Sequence, residues 1–226
     1  MVEVIALNLT GISKLDHLIH LVTPAKQKKL SRIKDPASAR QILASDLLAR
    51  AVICDRLGWK NHQIEYCYNE FGKPALISRE DFHFNLSHAG DWVVMALSCS
   101  ETGIDIEQVV PLDMEIARHF FSASEYQQLK KVPDHSKLDH FFQIWTLKES
   151  FTKMTGLGLS EDLNSFSIEL CDNFPRLSSG SFSPVFFRQF DIQSNYKLAV
   201  CAREDSFSPS ITLVNEEYIY QRLAFS

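Results

Sequence analysis

The sequence has 226 residues, of which 45% are hydrophobic and 23% charged, the balance of a globular protein with one or two domains. Its net charge of −5 argues against broad nucleic-acid binding, which requires a basic surface. The sequence contains no run of about 18 apolar residues and no CxxC pair, and residues 1–3 open no signal-peptide pattern, so we expect neither a signal peptide nor a membrane span. We therefore expect a cytoplasmic protein that binds neither a membrane nor a nucleic acid, with reduced thiols at Cys54, Cys67, Cys99, Cys171 and Cys201.

The first half of the chain contains a strand pattern, a long helix pattern and a hairpin pattern, in that order. Residues 5–7 are typical of a strand. Asp35-Pro36 supplies an N-cap and a proline at the first helical position, an apolar stripe follows, and Gly58 lies just past the end, which predicts one helix between them. Residues 82–98 form two apolar runs around a polar turn and predict a hairpin.

The second half repeats this order. GIDIE at residues 103–107 is typical of a strand, and residues 112–131 predict two short helices, the second opened by a capping box from Ser122 to Glu125. A long helix pattern then ends at Gly156, and residues 190–202 predict a second hairpin.

The two halves align with each other at an offset near 100. Residues 5–7 match residues 104–106 and residues 23–30 match residues 122–129, both at an offset of 99, and Gly58 then matches Gly158. Any two α+β stretches can align this loosely, but several matches in the same order favour a duplication. The repeat predicts an α+β fold of two similar lobes, 1–102 and 103–226, related by a pseudo-twofold axis with a ligand cleft between them.

Three acidic residues are candidates for a metal site. Asp105 and Glu107 alternate with isoleucines, so a strand would turn both carboxylates to one face, and Glu149 lies within a largely apolar helix pattern. Three carboxylates form an all-oxygen site that suits magnesium. The simpler alternatives are an exposed, wet strand face and a surface ion pair between Glu149 and Lys153.

Basic and polar residues in the first half are candidates for phosphate contacts. Lys73 lies on a tight turn, and Ser87 and His88 lie at the end of a strand, where their opposite directions make a nucleophile and base pair improbable. Further positive charge comes from Lys26, Lys29 and Arg40, although such a run is usually a solvated surface.

The segments FGKPAL (71–76), FNLSHAGDW (84–92), GIDIE and WTLKESFTK (145–153) together resemble the Sfp-type 4′-phosphopantetheinyl transferases. The resemblance implies a pseudo-dimer of two lobes with coenzyme A between them and magnesium held by Asp105, Glu107 and Glu149. It further implies that Lys148 and Lys153 meet the diphosphate of coenzyme A, and that the nucleotide end with its 3′-phosphate is bound by Lys73, Ser87 and His88, with Lys26, Lys29 and Arg40 as weaker candidates. Gln108 departs from the family, whose members often have a basic residue there.

The implied reaction is transfer of 4′-phosphopantetheine from coenzyme A to a serine hydroxyl of an apo acyl, polyketide or peptidyl carrier protein, with release of 3′,5′-ADP. Glu149, Asp105 and Lys153 are the implied catalytic residues, and Glu149 is a ligand, a base or both. We expect the protein to act as a monomer, with its carrier docking near Lys130 and Lys131. The alternatives are a metal-dependent coenzyme A diphosphate hydrolase and a non-catalytic module that binds coenzyme A or a carrier.

Overall fold

The computed structural model describes residues 1–12, 15–158, 162–170, 174–178 and 184–224. Its strands are Val2–Asn8 (β1), Tyr66–Tyr68 (β2), Pro74–Leu76 (β3), His83–Ala89 (β4), Trp92–Ser98 (β5), Thr102–Gln108 (β6), Ile168–Glu169 (β7), Arg176–Leu177 (β8), Phe186–Phe190 (β9), Tyr196–Ala202 (β10) and Phe207–Val214 (β11). Its α-helices are Pro24–Leu30 (α1), Pro36–Leu57 (α2), Ala117–Phe120 (α3), Ala123–Lys131 (α4), Asp134–Thr155 (α5) and Glu216–Ala224 (α6).

Two sheets organise the molecule. The first has the strand order β11-β1-β5-β4, in which β1 is antiparallel to β5 and parallel to β11. The second has the order β6-β10-β9 and is antiparallel throughout. The two sheets thus share one arrangement, in which a first strand lies beside the two strands of a hairpin. These strands are β1, β5 and β4 in the first sheet and β6, β10 and β9 in the second.

Strand alternation divides the core into layers. On β1, Ile5 and Leu7 pack with α2, whereas Val4 and Ala6 join the apolar side chains that lie between the two sheets. On β6, Ile104 and Ile106 enter that same shared layer. Helix α5 covers the other side of the second sheet. The layers run helix, sheet, sheet, helix, and the expected α+β fold of two similar lobes is confirmed.

Helices α2 and α5 correspond in length and in their ends. Each has 22 residues, and each is followed by a glycine in the left-handed conformation, Gly58 at φ 65° and Gly156 at φ 75°. The side chain of Asp35 accepts a hydrogen bond from the amide of Ser38, as its predicted N-cap role requires. The structural counterpart of Gly58 is therefore Gly156, and the match of Gly58 with Gly158 was wrong by two residues.

The sequence alignment of β1 with β6 was wrong by one residue. An offset of 99 pairs Ala6 with Asp105, but Ala6 lies in the layer between the sheets and Asp105 lies on the face that carries α5. A shift of one residue exchanges the two faces of a strand. An even offset, such as the 98 that relates Gly58 to Gly156, pairs Asp105 with the apolar Leu7.

The C-terminal segment returns to the first sheet. β11 pairs in parallel with β1 from Val4 to Leu7, and α6 buries Ile219 and Leu223 in the core that contains α2. This segment belongs by sequence to the second half, and the lobe boundary at residues 102 and 103 stays a prediction.

Two expectations about the chain as a whole concern membranes and thiols. Across the described ranges, the longest helices are too polar to serve as a membrane span. Cys54 and Cys201 are buried, Cys67 and Cys99 are exposed, and Cys171 lies outside the described residues. The reduced state of the thiols stays a prediction.

Candidate active site

A cavity of about 340 Å³ lies where β4, β6 and α5 meet. It is lined by Leu86, Ser87, His88, Asp105, Glu107, Trp145, Glu149 and Lys153. Six of these eight side chains are ionisable or polar site residues expected from the sequence, drawn from both halves of the chain.

The cavity forms because the edges of the two sheets meet there. β4 is an edge of the first sheet and β6 is an edge of the second, so the outer amides of β6 lack a strand partner. The side chains of Asn85 and Ser87 on β4 accept hydrogen bonds from the amides of Ile104 (2.9 Å) and Ile106 (3.3 Å). Ser87 is thereby held at the junction of the lobes, beside Asp105.

Asp105 is buried, with only 3% of its surface exposed, although its sequence pattern allowed an exposed strand face. Its Oδ1 accepts hydrogen bonds from the Ser87 hydroxyl (3.0 Å) and the Lys153 ammonium (2.6 Å). Its buried Oδ2 has no hydrogen-bond partner among the residues that the structure describes. Burial raises the pKa of Asp105, and the opposing effects of Lys153 and Ser87 do not cancel this. A buried, unpartnered carboxylate oxygen is costly unless a ligand uses it.

Glu107 and Glu149 share this environment. Burial, followed by the charge of Asp105, raises the pKa of both carboxyls, that of Glu107 to about 7. A hydrogen bond from the indole of Trp145 opposes the shift at Glu107. The three carboxylates line the same cavity, and an acidic cavity of this kind attracts cations.

A direct consequence is that Glu107 destabilises the ligand-free protein at alkaline pH. Because its folded pKa of about 7 exceeds the usual 4.5, the folded state holds the proton more tightly, and stability falls as pH rises between these values. Glu107→Gln is expected to raise the melting temperature in EDTA at about pH 8 by about 2–4 °C, a modest change because Glu107 is only partly buried and solvent screens its charge.

The same comparison at about pH 3.5, below both pKa values, should show almost no difference between the proteins, because the carboxyl is then neutral in the folded and in the unfolded state. Thermal unfolding followed by circular dichroism at both pH values measures this. A variant less stable than the wild type at about pH 8 would contradict the crowding of these carboxylates.

Helix α5 presents one face to the cavity. Trp145, Glu149 and Lys153 are spaced by four residues, so they stack along that face. Trp145 was not among the expected site residues, although its spacing from Glu149 and Lys153 could have identified it. The ring of Trp145 packs edge-on against Phe120 at 5.3 Å between centroids, which joins the cavity wall to helix α3.

The metal expectation has mixed support. Within the ranges that the structure describes, no three His, Cys, Asp or Glu side chains are grouped closely enough to hold a metal ion. The donor chemistry nevertheless fits a hard cation, since three carboxylates line one cavity and the Oδ2 of Asp105 has no partner in the described part of the chain.

A larger cavity of about 880 Å³ adjoins this one, since Leu86 and His88 line both. Lys26 and Lys29 of α1 lie on its wall. Lys26 forms an ion pair of 3.4 Å with Asp46, which also binds Arg50. His88 is exposed, and partial burial of its ring followed by the charge of Lys153 lowers its pKa. A long ligand could therefore extend from the carboxylates past His88 to the lysines.

Lys73 and Arg40 bind backbone carbonyls. The ammonium of Lys73 donates to the carbonyl oxygens of Met154 (2.9 Å) and Thr102 (3.2 Å), and burial lowers its pKa to about 8. Lys73 also lines a third cavity, of about 240 Å³, together with Lys153. Arg40 donates to the carbonyl oxygens of Leu9 and Ile12 and lines none of these three cavities.

Lys148 is the most deeply buried of the site residues expected from the sequence. Its side chain is 0% exposed and forms an ion pair of 2.7 Å with Glu125, which is 2% exposed. It lines none of the three cavities. The structure brings together Ser87, His88, Asp105, Glu107, Glu149 and Lys153, but not Lys148.

The fold and this cavity define a two-lobed α+β protein whose acidic site lies at the junction of its lobes. Residues 101–201 match the family model of the 4′-phosphopantetheinyl transferase superfamily, and residues 11–100 match that of the 4′-phosphopantetheinyl transferase N-terminal region. The chain is 36% identical over 205 residues to 4′-phosphopantetheinyl transferase Sfp of Bacillus subtilis (strain 168), covering 89% of this chain and 91% of that one. It belongs to the 4′-phosphopantetheinyl transferase family.

Two further proteins are similar. The chain is 34% identical over 213 residues to 4′-phosphopantetheinyl transferase psf-1 of Bacillus pumilus, covering 93% of this chain and 91% of that one. A crystal structure of a holo-(acyl-carrier-protein) synthase from Bacillus anthracis str. Ames, in complex with CoA (3′,5′-ADP), aligns with a TM-score of 0.41 and 16% identity over 47% of this chain and 97% of that chain.

Proposed function

We propose that this protein transfers the 4′-phosphopantetheine group of coenzyme A to a serine hydroxyl of an apo acyl, polyketide or peptidyl carrier protein and releases 3′,5′-ADP. The observation that carries the proposal is the cavity itself: in a chain of this family, three carboxylates and Lys153 converge between the lobes, beside a larger cavity with lysines on its wall. We also propose that it acts as a cytoplasmic monomer, where its thiols stay reduced.

Magnesium is proposed as the cofactor, with Asp105, Glu107 and Glu149 as the residues that hold it. The unpartnered Oδ2 of Asp105 and the shared cavity support this assignment. A bound magnesium ion would neutralise the carboxylates and the diphosphate oxygens of coenzyme A.

The residues of the chain would orient the substrate. Lys153, which donates to Asp105 and Ser87 in the ligand-free protein, can turn one donor to a diphosphate oxygen and offset its charge. His88, exposed where the two cavities join, would meet the nucleotide end. Lys26 and Lys29 would bind its phosphate, whereas Lys73 would have to release two carbonyl oxygens first.

Glu149 is proposed to receive the proton of the carrier serine. As the serine oxygen forms a bond to the β-phosphorus, the bond from that phosphorus to the oxygen of 3′,5′-ADP breaks, and the serine proton passes to the Glu149 carboxylate. Burial and the neighbouring Asp105 raise the pKa of Glu149, which makes its carboxylate a better base than an exposed one. Positioning and charge neutralisation supply most of the remaining rate.

The direct experiment is to incubate the protein with coenzyme A, magnesium and a panel of apo carrier proteins and to measure the carrier masses. A carrier that gains the mass of phosphopantetheine supports transfer, and EDTA should prevent the gain. Phosphopantetheine released without any carrier would instead identify a coenzyme A diphosphate hydrolase. Binding of coenzyme A with neither product would identify a binding module.

Helices α3 and α4 are proposed to dock the carrier. Arg118, Tyr126 and Lys130 line an open cavity of about 670 Å³ there, and Lys130 and Lys131 are exposed. An enzyme with a net charge of −5 needs such a local basic surface to receive an acidic partner.

Lys130→Glu with Lys131→Glu is therefore expected to raise the KM for an acidic carrier about tenfold at low salt, and less at high salt, with the KM for coenzyme A unchanged. Arg32→Glu with Lys34→Glu is the matched control, since it makes the same charge change at exposed positions of the first half. Steady-state kinetics at two salt concentrations measures both. Equal carrier KM values for the two double variants would move the docking surface elsewhere.

A further inference from the structure

The buried ion pair between Glu125 and Lys148 has no role in the function proposed above. Glu125 lies in the first turn of α4, and Lys148 lies on α5 immediately before Glu149. The pair is nearly inaccessible, with side-chain exposures of 2% and 0%. Burying two charges is expensive, so the pair requires a complete set of partners.

That set is complete. The Lys148 ammonium donates to both oxygens of Glu125, at 2.9 and 2.7 Å, and to the carbonyl oxygen of Phe166 at 2.7 Å. It also lies 4.2 Å from the centroid of the Phe166 ring. Glu125 accepts further hydrogen bonds from the amides of Ser122 and Ile168, both at 2.8 Å. With three donors of its ammonium in use, Lys148 has none left for a phosphate.

The pair is also a main attachment of α4. Only two of the nine residues of α4 are buried, Glu125 and Leu129. The other side of the helix lines the cavity with Tyr126 and Lys130. Leu129 and the ion pair are therefore the buried contacts of a helix whose outer surface is proposed to receive the carrier, and hydroxyl contacts of Ser122 and Ser124 with Ser167 add to them at its first turn.

Helix α5 connects this pair to the active site. Glu149 lines the acidic cavity, and Lys148, about 100° away around the helix, points into the protein beneath α4. The position of α4 relative to Glu149 is thus set by a contact one residue from Glu149.

We propose that Glu125 and Lys148 are positioning residues that fix α4 and the Phe166–Ile168 segment on the back of α5, and that Lys148 does not contact coenzyme A. The proposal rests on the proposed function, because a correctly placed α4 is what brings the carrier serine to Glu149. It replaces the contact between Lys148 and the diphosphate that the family resemblance implied.

The test compares Glu125→Gln/Lys148→Met with the wild type. The double variant removes both charges, since Lys148→Met alone leaves a buried, unpaired carboxylate and can fail to fold. Lys137→Met is the matched control, because Lys137 lies on the same helix and pairs with Asp134, whose side chain is 94% exposed. Glu125→Gln alone provides a second variant that keeps the shape of the pair.

Three measurements on the double variant distinguish a positioning role from a role in binding coenzyme A. Isothermal titration calorimetry in the presence of magnesium should give a Kd for coenzyme A within about twofold of that of the wild type. Amide hydrogen exchange in α4 and at residues 166–168 should be about tenfold faster, while the α5 turn that carries Glu149 keeps its protection. The KM for the carrier should rise about fivefold with the KM for coenzyme A unchanged. Lys137→Met should change none of these.

A Kd for coenzyme A raised tenfold or more would show that Lys148 binds the substrate and would overturn the proposal. Unchanged exchange in α4 would overturn it as well, since the pair would then not hold the helix. The proposed function has its own test, since it is wrong if the wild type transfers no phosphopantetheine. In that case the calorimetry and the hydrogen-exchange measurements still decide the role of the ion pair.

Discussion

Glu149→Gln is expected to lower the kcat of carrier modification about 100-fold or more. The substitution keeps the shape of the side chain but removes a negative charge from the acidic cavity and the proposed acceptor of the serine proton. Folding should survive, because burial and Asp105 already disfavour the charge, as the raised pKa of Glu149 indicates. The loss should therefore be one of catalysis, visible in kcat at saturating coenzyme A and carrier.

The matched control is Asp134→Asn, an acid-to-amide change on the same helix at a side chain that is 94% exposed. It should leave kcat within about twofold of the wild type. Circular dichroism and the melting temperature of both variants test for intact folding. A Glu149→Gln protein that retains more than about a tenth of the wild-type kcat would contradict both the ligand and the base role of Glu149.

Gly103→Ala is expected to destabilise the protein by about 3 kcal/mol or more. A Cβ at Gly103 would lie 2.1 Å from the carbonyl oxygen of Ser150 and 2.3 Å from the amide nitrogen of Met154. Both are backbone atoms of α5, so no side chain can turn away and the helix must move from β6. Since α5 carries Glu149 and Lys153, and β6 carries Asp105, activity should fall as well.

Gly58→Ala is the control that distinguishes this clash from the general cost of replacing a glycine by alanine. Gly58 has a positive φ of 65°, but an added Cβ there would meet no atom of the described residues within 4 Å. Its substitution should therefore cost about 1 kcal/mol and leave activity unchanged. Urea unfolding of the two variants measures the difference. Equal losses of stability would show that β6 and α5 are not in close backbone contact at Gly103.

Local structure was predictable from the sequence because its signals lie within a few residues of each other. Asp35 and Pro36 opened α2 and Gly58 ended it, as expected. The capping box of Ser122 and Glu125 opens α4. Alternation in GIDIE correctly sent Ile104 and Ile106 to the core and both acids to the other face.

The candidate site was predictable in part, through the family resemblance. Ser87, His88, Asp105, Glu107, Glu149 and Lys153 line one cavity, whereas the resemblance assigned Ser87 and His88 to the nucleotide end and the other four to the metal and diphosphate. The roles of these residues stay predictions. Trp145 was missed as a site residue because an aromatic side chain on an apolar helix is usually a core residue. The duplication was recognised, but the residue-by-residue alignment of the two halves was not. Weak sequence matches allow an error of one residue, and in a strand an error of one residue assigns every side chain to the wrong face.

Thus the sequence by itself determined the helices α2, α4 and α5, the hairpin of β4 and β5, and the family, since these depend on local patterns and on motifs. The strand β11 and the helix α6 were not predicted. Only the tertiary structure decided which charges are buried and what they bind. Asp105 of the GIDIE segment is buried because β4 and α5 cover that face of β6. Neither β4 nor α5 is next to β6 in the sequence. Lys148 and Glu149 are neighbours in one motif, yet 3.6 residues per helical turn direct Lys148 to the buried Glu125 and Glu149 to the cavity between the lobes.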